Sequence, residues 1–480
     1  MNASWSNSPT ENAPGRWLLL ATGGHLSPSP RIHYVNHPFT MPPGMSRIEV
    51  LFVFYRQGQV ALSISLHDPH AFRGARTRHY VKGRVEVDLW MTPTEASAGA
   101  IAGPLYPGTW RAQVDVERLA EETDYEVQVW AESGAAAVPV GAQLLEQPAV
   151  RPGPAWYRGE LHAHSNESDG KYPVEVVVDA ACRAGLDFLS LSEHITVSHW
   201  RKLAALFDRP IALLHSCEIT SHQGHANLHG IHTWVDTYVD RPGWGMNDAA
   251  DATHAQGGLF CINHPLSGDF GWRSHDFDWG RADLLEVYHS LEGPNNNLQP
   301  ALWDHHLQLG RRIVGVAGTD SHDPFTGNHR LGTWVTWVKA PELSERGIIA
   351  GLREGQVYAS RGPELRFTAT TPAGQQAGMW GALPLGAGPV TFHAAILTQE
   401  DILVFVLKNG YPFACLPLQA SGVWGSVTFS DEPDRPAYYR LELHHPFHSE
   451  IYPGIEWRDY TTVQALSNPI WVGQHSGQTL

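Results

Sequence analysis

Histidines and carboxylates stand at or near the ends of short apolar segments in the middle of the chain. The segments include YRGELHAHS, DFLSLSEH, IALLHSCE, LFCINHP, LLEVYHS and IVGVAGTDSH. The residues concerned are, in chain order, His162, His164, Asp169, His194, Glu218, His225, His264, His289, Asp320 and His322. One HxH pair carries little weight in a chain with 28 histidines, but coincidence does not explain six such endings. Imidazole and carboxylate ligands without thiolate suit Zn²⁺, Mn²⁺ or Fe²⁺. The pattern therefore predicts a site for divalent metal ions.

The local spacings agree with this chemistry. His162 and His164 lie two positions apart in a predicted strand, so both imidazoles point to the same face and can hold one ion. Asp320 and His322 repeat that spacing. Glu218 ends an apolar strand, where an isolated carboxylate would be costly to bury. Coordinated to metal, it can bridge two ions.

The elements that would position these residues alternate between strand and helix from about residue 156. Such alternation predicts parallel strands joined by helical crossovers, and about seven strands would form a barrel resembling the (β/α) type. The loops at the carboxyl ends of parallel barrel strands meet on one face, so the candidate ligands would converge there. The fold class is therefore α/β.

The regions on either side have a different rhythm, in which short runs alternate apolar and polar residues between Gly, Pro and Asp. This is typical of antiparallel β-sandwiches. A segment with three prolines, QPAVRPGP, reads as a linker. We predict an N-terminal β-sandwich over 1–150, a metallohydrolase barrel over 156–358 and a C-terminal β-sandwich over 359–480.

Length and charge limit the possible partners. A chain of 480 residues exceeds what one hydrophobic core serves, which favours two or three domains. The net charge of −16 argues against nucleic acid or an anionic membrane as the main partner, and a small-molecule ester remains as substrate. No apolar run approaches the ~20 residues of a membrane span, and no basic-then-apolar leader is visible. We therefore expect a cytoplasmic protein, whose oligomeric state the sequence leaves open.

The same motifs carry a family resemblance. ELHAHSNESDG, SEH at 192–194, CE at 217–218, NHP at 263–265 and GTDSH resemble the polymerase and histidinol phosphatase (PHP) superfamily. GHANLHG, LLEVYHS and LSNPIWV look like its carbaryl-hydrolase (CehA/McbA-type) branch. The resemblance covers Trp156 to about Ser360 well and the C-terminal region loosely.

The resemblance implies a distorted seven-stranded PHP-type barrel with two or three divalent ions, either Mn, Zn or Fe. One ion would take His162, His164, Glu218 and Asp320; a second would share Glu218 and add His225 and His264; a third would take Asp169, His194 and His322. Asn227 or His229, on the same strand face, could replace His225. His289 stands where this branch commonly has a polar residue, which places it beside the substrate.

The resemblance implies hydrolysis of a phosphate mono- or diester. A hydroxide that bridges two ions would attack the phosphorus, since metal binding lowers the pKa of water from 15.7 towards ~7. His194, His289 or His322 would protonate the leaving group. The loop residues that could bind an anionic oxygen are Arg273, His275, His329 and Arg330, with His289 beside them.

Two other functions remain open. In a carbamate or carboxylic ester hydrolase, the same hydroxide would attack a carbonyl carbon. An aryl pocket could then be formed by the loop tryptophans Trp234, Trp244, Trp272 and Trp279. A basic loop cluster favours phosphate, and a dry tryptophan-lined pocket favours carbamate. The third possibility is a non-catalytic binding protein with the barrel as scaffold.

Overall fold

The structure is a computed structural model. It describes residues 10–13, 15–29, 33–56, 58–78, 82–134, 144–239, 241–290, 293–446 and 463–473. Among these residues, every helix is too short or too polar to cross a lipid bilayer.

The N-terminal region consists of two antiparallel sheets packed face to face. Its strands are β1 (Thr10–Ala13), β2 (Arg16–Leu26), β3 (Tyr34–Met41), β4 (Met45–Arg56), β5 (Val60–His67), β6 (Phe72–Thr77), β7 (Gly83–Met91), β8 (Gly108–Leu119) and β9 (Thr123–Ser133). One sheet has the order β1-β2-β9-β4-β7 and the other β3-β8-β5-β6. Alternate residues of the strands point inward, as in β4, where Ile48, Val50 and Phe52 are fully buried. We call this pair of sheets the N-terminal sandwich.

Seven strands and four helices follow. They are β10 (Ala155–Ala163), α1 (Val174–Arg183), β11 (Phe188–Leu191), α2 (Trp200–Leu203), β12 (Ala212–Ser221), β13 (Gly224–His229), α3 (Met246–Ala255), β14 (Leu259–Ile262), β15 (Leu284–His289), α4 (Gly293–Gln308) and β16 (Val314–Gly318). The strands lie side by side in chain order. Both faces are buried, and β12 and β15 are buried at every position.

The parallel alternation predicted from the sequence breaks once. β13 runs antiparallel to both β12 and β14, and only His222 and Gln223 separate β12 from β13. A connection of two residues makes a hairpin and leaves no length for a helical crossover. As a result His225, near the start of β13, pairs with Thr220 near the end of β12, so it lies at the same edge as the strand-end ligands.

The seven strands do not close into the predicted barrel by a ladder. Ladders join them in a row, while within the described residues a single parallel bridge joins Ala163 of β10 to Ser321, which follows β16. Ser321 donates its N–H to the His162 carbonyl at 3.3 Å and accepts from the His164 N–H at 2.9 Å. The first and last strands therefore touch at their carboxyl ends, where the candidate ligands are.

The C-terminal region continues the same sheet. Its elements are β17 (Val335–Ala340), α5 (Glu345–Arg353), β18 (Val357–Ser360), β19 (Glu364–Thr370), β20 (Gln376–Gly378), β21 (Ala382–Leu383), β22 (Val390–Leu397), β23 (Ile402–Lys408), β24 (Tyr411–Leu418), β25 (Gly425–Asp431), β26 (Ala437–His444), β27 (Val463–Ser467) and β28 (Ile470–Val472). β17 pairs with β10 and β18, and the row goes on through β27, β26, β23 and β24. A four-stranded sheet, β20-β19-β22-β25, shares a hydrophobic core with it.

Two polar contacts tie this C-terminal part to the central strands. Asn468 exchanges hydrogen bonds with Gly315 in β16, at 2.9 and 2.8 Å, and donates to the Val357 carbonyl at 2.9 Å. Arg440, fully buried in β26, makes two hydrogen bonds to the Asp304 carboxylate of α4, at 2.8 and 2.6 Å. The domain limits at 150, 156 and 358–359 remain predictions, but the strand ladder runs without interruption through the last of them.

Candidate metal centre

A single carboxylate lies at the centre of the candidate site. Glu218 in β12 is fully buried. Five histidine nitrogens lie near its two oxygens: those of His194 at 2.8 Å, His162 and His225 at 3.3 Å, His164 at 3.6 Å and His264 at 3.9 Å. These residues come from β10, β13 and the segments after β10, β11 and β14. The fold therefore gathers the side chains that the sequence singled out.

The potential ligand atoms form several overlapping groups in which all atoms lie within 4.8 Å of one another. They include His164–Asp169–His194–His322, His162–His164–Asp320, His162–Glu218–His264, His194–Glu218–His225 and His162–Glu286–His289. All nine predicted ligands occur in them. Because the groups overlap, they do not divide the ligands among individual ions, and the assignment to three ions stays a prediction. Of the possible substitutes for His225, Asn227 donates to the Leu161 carbonyl at 3.2 Å and His229 hydrogen-bonds Ser190 at 2.9 Å.

Backbone geometry at the strand ends is unusual. Six non-glycine residues in the described chain have positive φ, and four of them are Ile195, His264, Ser290 and Asp320. Each is a candidate ligand or directly follows one of the histidines of the site. A non-glycine residue in this region costs of order 1 kcal/mol or more and persists where the surroundings impose it. Here the turn directs the side chains towards the common centre instead of along the strand.

The pKa values differ among the histidines. Burial, followed by the charges of His322 and His194, lowers the pKa of His164 to about 3, and burial with His289 and His225 lowers that of His264 to about 3. Both are neutral at pH 7, as a metal ligand must be. Burial alone would lower the pKa of His322, but the Asp169 and Asp320 carboxylates raise it to about 9. Without an ion, His322 is therefore protonated, and metal binding must displace that proton.

A second layer of carboxylates holds the ligands, and the sequence analysis missed its main member. Glu286 in β15 contacts His162 Nδ1 at 2.7 Å and accepts the His264 N–H at 2.8 Å. This leaves Nε2 of His162 facing Glu218 and Asp320. The sequence does mark Glu286, because it is a lone carboxylate within the apolar segment LLEVYH, just as Glu218 is the lone carboxylate of IALLHSCE.

Two further buried acids fix the loops. Glu160 accepts the N–H groups of His162 and Thr319 at 3.0 and 2.9 Å, and burial raises its pKa to about 7. Glu193 accepts hydrogen bonds from the hydroxyls of Ser165 and Ser168, both at 2.5 Å. It thus shapes the turn between His164 and Asp169.

The residues present fit a bound divalent ion. Nε2 of His162 and Oε2 of Glu218 are buried and make no hydrogen bond of acceptable geometry among the described residues. Buried polar atoms without a hydrogen-bond partner are rare, and the low dielectric of the interior makes each of them costly. The donors are nitrogen and oxygen atoms, and Cys217 beside Glu218 packs in the core instead. This set suits Zn²⁺, Mn²⁺ or Fe²⁺.

An open pocket of ≈ 320 Å³ leads to these groups, and we call it the histidine pocket. It is lined by Arg56, Arg118, Asp169, His194, His225, His264, Ser267, Phe270, His289, Asp320, His322 and His329. His289 and His329 therefore lie where a substrate would bind. Arg273, His275 and Arg330, predicted as substrate residues, are exposed and do not line this pocket. Arg273 lines a neighbouring cavity instead.

Two arginines of the pocket come from an unexpected place. Arg56 ends β4 and Arg118 lies near the end of β8, so both belong to the N-terminal sandwich. No residue of that region was predicted from the sequence to belong to the site. The four loop tryptophans Trp234, Trp244, Trp272 and Trp279 pack against the central hydrophobic core. Of the described aromatic side chains other than histidine, Phe270 is the one that lines the pocket.

Comparison with known proteins gives distant matches. No protein family model matches the chain, and no curated protein matches it. A two-domain protein from Bacteroides vulgatus containing a predicted PHP-like metal-dependent phosphoesterase is 19% identical, with a TM-score of 0.39 over 66% of this chain and 99% of that one. PsfC from Pseudomonas syringae is 15% identical (TM-score 0.30; 39% and 83% covered). An amidohydrolase from Chromobacterium violaceum with bound sulfate and no metal is 16% identical (TM-score 0.27; 36% and 90% covered). At these values the likenesses establish neither the family nor the function.

Proposed function

We propose that this protein is a metal-dependent hydrolase of phosphate mono- or diesters and that the histidine pocket is its active site. The observation that carries the proposal is the arrangement around Glu218, where histidine and carboxylate groups within 4.8 Å of one another lie at the floor of an open pocket. A purely structural site would be closed by its ligands, whereas a catalytic site leaves room for substrate.

The lining of the pocket supports a phosphate ester over an aryl carbamate. Arg56 and Arg118 add positive charge to the lining of the pocket, which attracts an anionic substrate such as a phosphate ester over a neutral carbamate. A carbamate hydrolase of the carbaryl type would need a dry aromatic pocket, but the loop tryptophans face the core. Phe270, 41% exposed, offers one aromatic surface, so aryl esters of phosphoric acid fit as well.

The chain's own residues would divide the work as follows. His162, His164, Asp169, His194, Glu218, His225, His264, Asp320 and His322 would hold two or three ions. When bound, such ions lower the pKa of water towards ~7, which supplies hydroxide, and they neutralise charge that builds on the ester oxygens. Glu286 would orient His162 through Nδ1 and keep its Nε2 turned to the site.

His289 is the strongest candidate to deliver a proton to the leaving group. Its Nδ1 lies 3.3 Å from Glu286, its Nε2 lies 3.7 Å from Asp320, and its ring borders the pocket. His194 and His322 are among the proposed metal ligands, so that bound ions would occupy their nitrogens, whereas His289 groups with Glu286, which orients His162. His289 can therefore hold a proton at Nε2 facing a bound ester.

The test is a screen of aryl phosphates, phosphodiesters and aryl carbamates with Mn²⁺, Zn²⁺ and Fe²⁺ added in turn. We expect turnover of a phosphate ester that a chelator abolishes and added metal restores. His162→Ala and Asp320→Ala should remove it, while His232→Ala, at an exposed histidine outside the pocket, should not. Full turnover in both ligand variants would contradict the proposal. Turnover of carbamates alone would favour a carbamate hydrolase.

The non-catalytic alternative predicts a different composition. A scaffold protein has no use for a complete ligand set, whereas a hydrolase purified without chelator should carry two or three ions per chain. Less than one ion per chain by plasma mass spectrometry would favour the scaffold.

A further inference from the structure

One wall of the histidine pocket is built by a different part of the chain from its floor. Arg56 and Arg118 end two strands that belong to the two different sheets of the N-terminal sandwich. All the candidate metal ligands lie between His162 and His322, more than forty positions further along the chain. We call these two residues the arginine wall.

Buried contacts hold the N-terminal sandwich, which carries the arginine wall, against the central strands. Gly99 of the N-terminal sandwich donates its N–H to Glu167 at 3.0 Å and accepts from the Thr196 hydroxyl at 2.9 Å. Its φ of +83° and the Ala75 carbonyl, 2.3 Å from an added Cβ, require glycine there. Phe72 stacks on Trp234 with ring centroids 4.2 Å apart. The sandwich therefore docks on the very loops that carry Asp169 and His194.

Positive charge is concentrated at this wall. The pKa of Arg118 is lowered, first by burial and then by the charges of Arg273 and Arg56. Arg118 also lines a second cavity of ≈ 260 Å³ together with Arg273, His33 and His222. Glu117, which accepts from the Ser63 hydroxyl at 2.6 Å, lines that cavity too. Arg118, which donates a hydrogen bond to Gln59, is therefore influenced by the positive charges of Arg56 and Arg273, and this local positive potential favours a bound anion.

Phe270 links the arginine wall to the candidate ligands. The guanidinium carbon of Arg118 lies 5.2 Å from the ring centroid of Phe270, and that ring lies 5.5 Å from the ring of His225. Arg118 and His225 thus contact the same aromatic side chain. Along this path a substrate can place one anionic group at the arginines and its ester at Glu218.

We propose that the arginine wall binds a second anionic group of the substrate, separate from the ester that is cleaved. The substrate class is a phosphate ester that also carries a phosphate or carboxylate about one aromatic ring away. The inference rests on the proposed function and narrows it, because it gives the N-terminal sandwich a role in substrate selection. Arg56 and Arg118 are specificity-determining residues that do not touch the reacting atoms.

The test compares two substrates that differ in one charge, 4-carboxyphenyl phosphate and its neutral analogue 4-carbamoylphenyl phosphate. The measured quantity is the ratio of their kcat/KM values with the metal that gives the best turnover. We expect the wild type to prefer the carboxylate and Arg118→Gln to reduce the ratio about tenfold to a hundredfold, the range for a hydrogen bond to a charged group. Arg56→Gln should reduce it in the same direction, and Arg118→Glu should reverse the preference.

The matched control is Arg84→Gln, because Arg84 is an exposed arginine of the same sandwich that pairs with Glu86. It should leave the ratio as in the wild type, and circular dichroism should show that all variants fold. A wild-type ratio near one, or a ratio that Arg118→Gln and Arg118→Glu leave unchanged, would overturn this inference while the proposed function stands. If neither compound nor any other phosphate ester is hydrolysed with any metal, the proposed function fails first and this inference with it.

Discussion

Replacing the central carboxylate by its neutral isostere is the sharpest test of the candidate metal centre. Glu218→Gln keeps the side-chain volume and removes the charge that five histidine nitrogens surround within 3.9 Å. Two of the groups of potential ligands, His162–Glu218–His264 and His194–Glu218–His225, need this carboxylate. The variant should therefore lose at least one ion.

The size of the effect follows from the burial of the group. Removing one partner of a fully buried charged set costs roughly 3–5 kcal/mol, which corresponds to a loss of about a hundredfold to a few thousandfold in affinity for the ions that Glu218 holds. At a free-metal concentration a hundred times the wild-type Kd, the ion stabilises the fold by about 2.7 kcal/mol. After a hundredfold loss of affinity the same concentration gives only about 0.4 kcal/mol.

The assay has two readouts that do not depend on turnover. Metal content per chain is measured after equilibrium dialysis, and the unfolding free energy is measured with and without chelator. The comparison of loaded with chelated protein within each variant cancels any effect of the substitution on the metal-free fold. The control is Glu345→Gln, at a buried carboxylate 2.9 Å from His215 Nδ1 and outside the site. If Glu218→Gln kept the wild-type metal content and the wild-type response to chelator, Glu218 would not be a ligand.

Three other predictions concern the layers around the centre. Glu286→Gln should weaken metal binding about tenfold to a hundredfold, because the carboxylate that orients His162 is lost; a chelator-competition titration measures this. Arg440→Ala should lower the free energy of unfolding by roughly 3–5 kcal/mol in denaturant titration, because it leaves Asp304 buried without its bidentate partner. Asp115→Asn should raise stability at neutral pH. Burial raises the pKa of Asp115 well above its ordinary value, so the native state holds a proton that the unfolded chain has released, and stability falls as pH rises above ~4 through the native pKa. Each pKa unit is worth about 1.4 kcal/mol, and the slope should disappear in the variant.

A particular result would contradict each of these three predictions. Unchanged metal affinity in Glu286→Gln would mean that His162 is oriented by the backbone alone. A fully stable Arg440→Ala would show that Asp304 finds water or is neutral. A Asp115→Asn variant that keeps the wild-type slope of stability against pH would assign that slope to other groups.

Much of the candidate centre could be predicted from the sequence because its signals are local. His162 lies at the end of β10, and His194, His264 and Asp320 come two or three residues after β11, β14 and β16. Parallel strands bring such endings to one edge of the sheet. The predicted ligands lie close together although the predicted parallel topology is wrong at β13, because the antiparallel β13 returns His225 to the same edge of the sheet.

The rest depends on contacts between distant parts of the chain. Arg56 and Arg118 carry no local mark that separates them from other strand-end arginines, and only the docking of the N-terminal sandwich brings them to the pocket. The missing ladder between β16 and β10 could not be predicted for a similar reason. Whether these two strands pair depends on the register of segments about 150 residues apart, which no local sequence pattern shows.

The hydrogen bonds between Asn468 and Gly315 have a consequence for how the protein is made. β16 forms a ladder with β15 alone. Thr336 in β17 hydrogen-bonds the Ala317 backbone, but the Gly315 backbone is satisfied by Asn468, which leaves the ribosome about 150 residues later. At about 5–20 residues per second, translation leaves Gly315 without this partner for roughly 8–30 seconds. An unprotected strand edge invites pairing with another nascent chain. Full satisfaction of this strand edge thus waits for residues that are translated much later, and the yield of folded protein in the cell depends on what protects the edge until then.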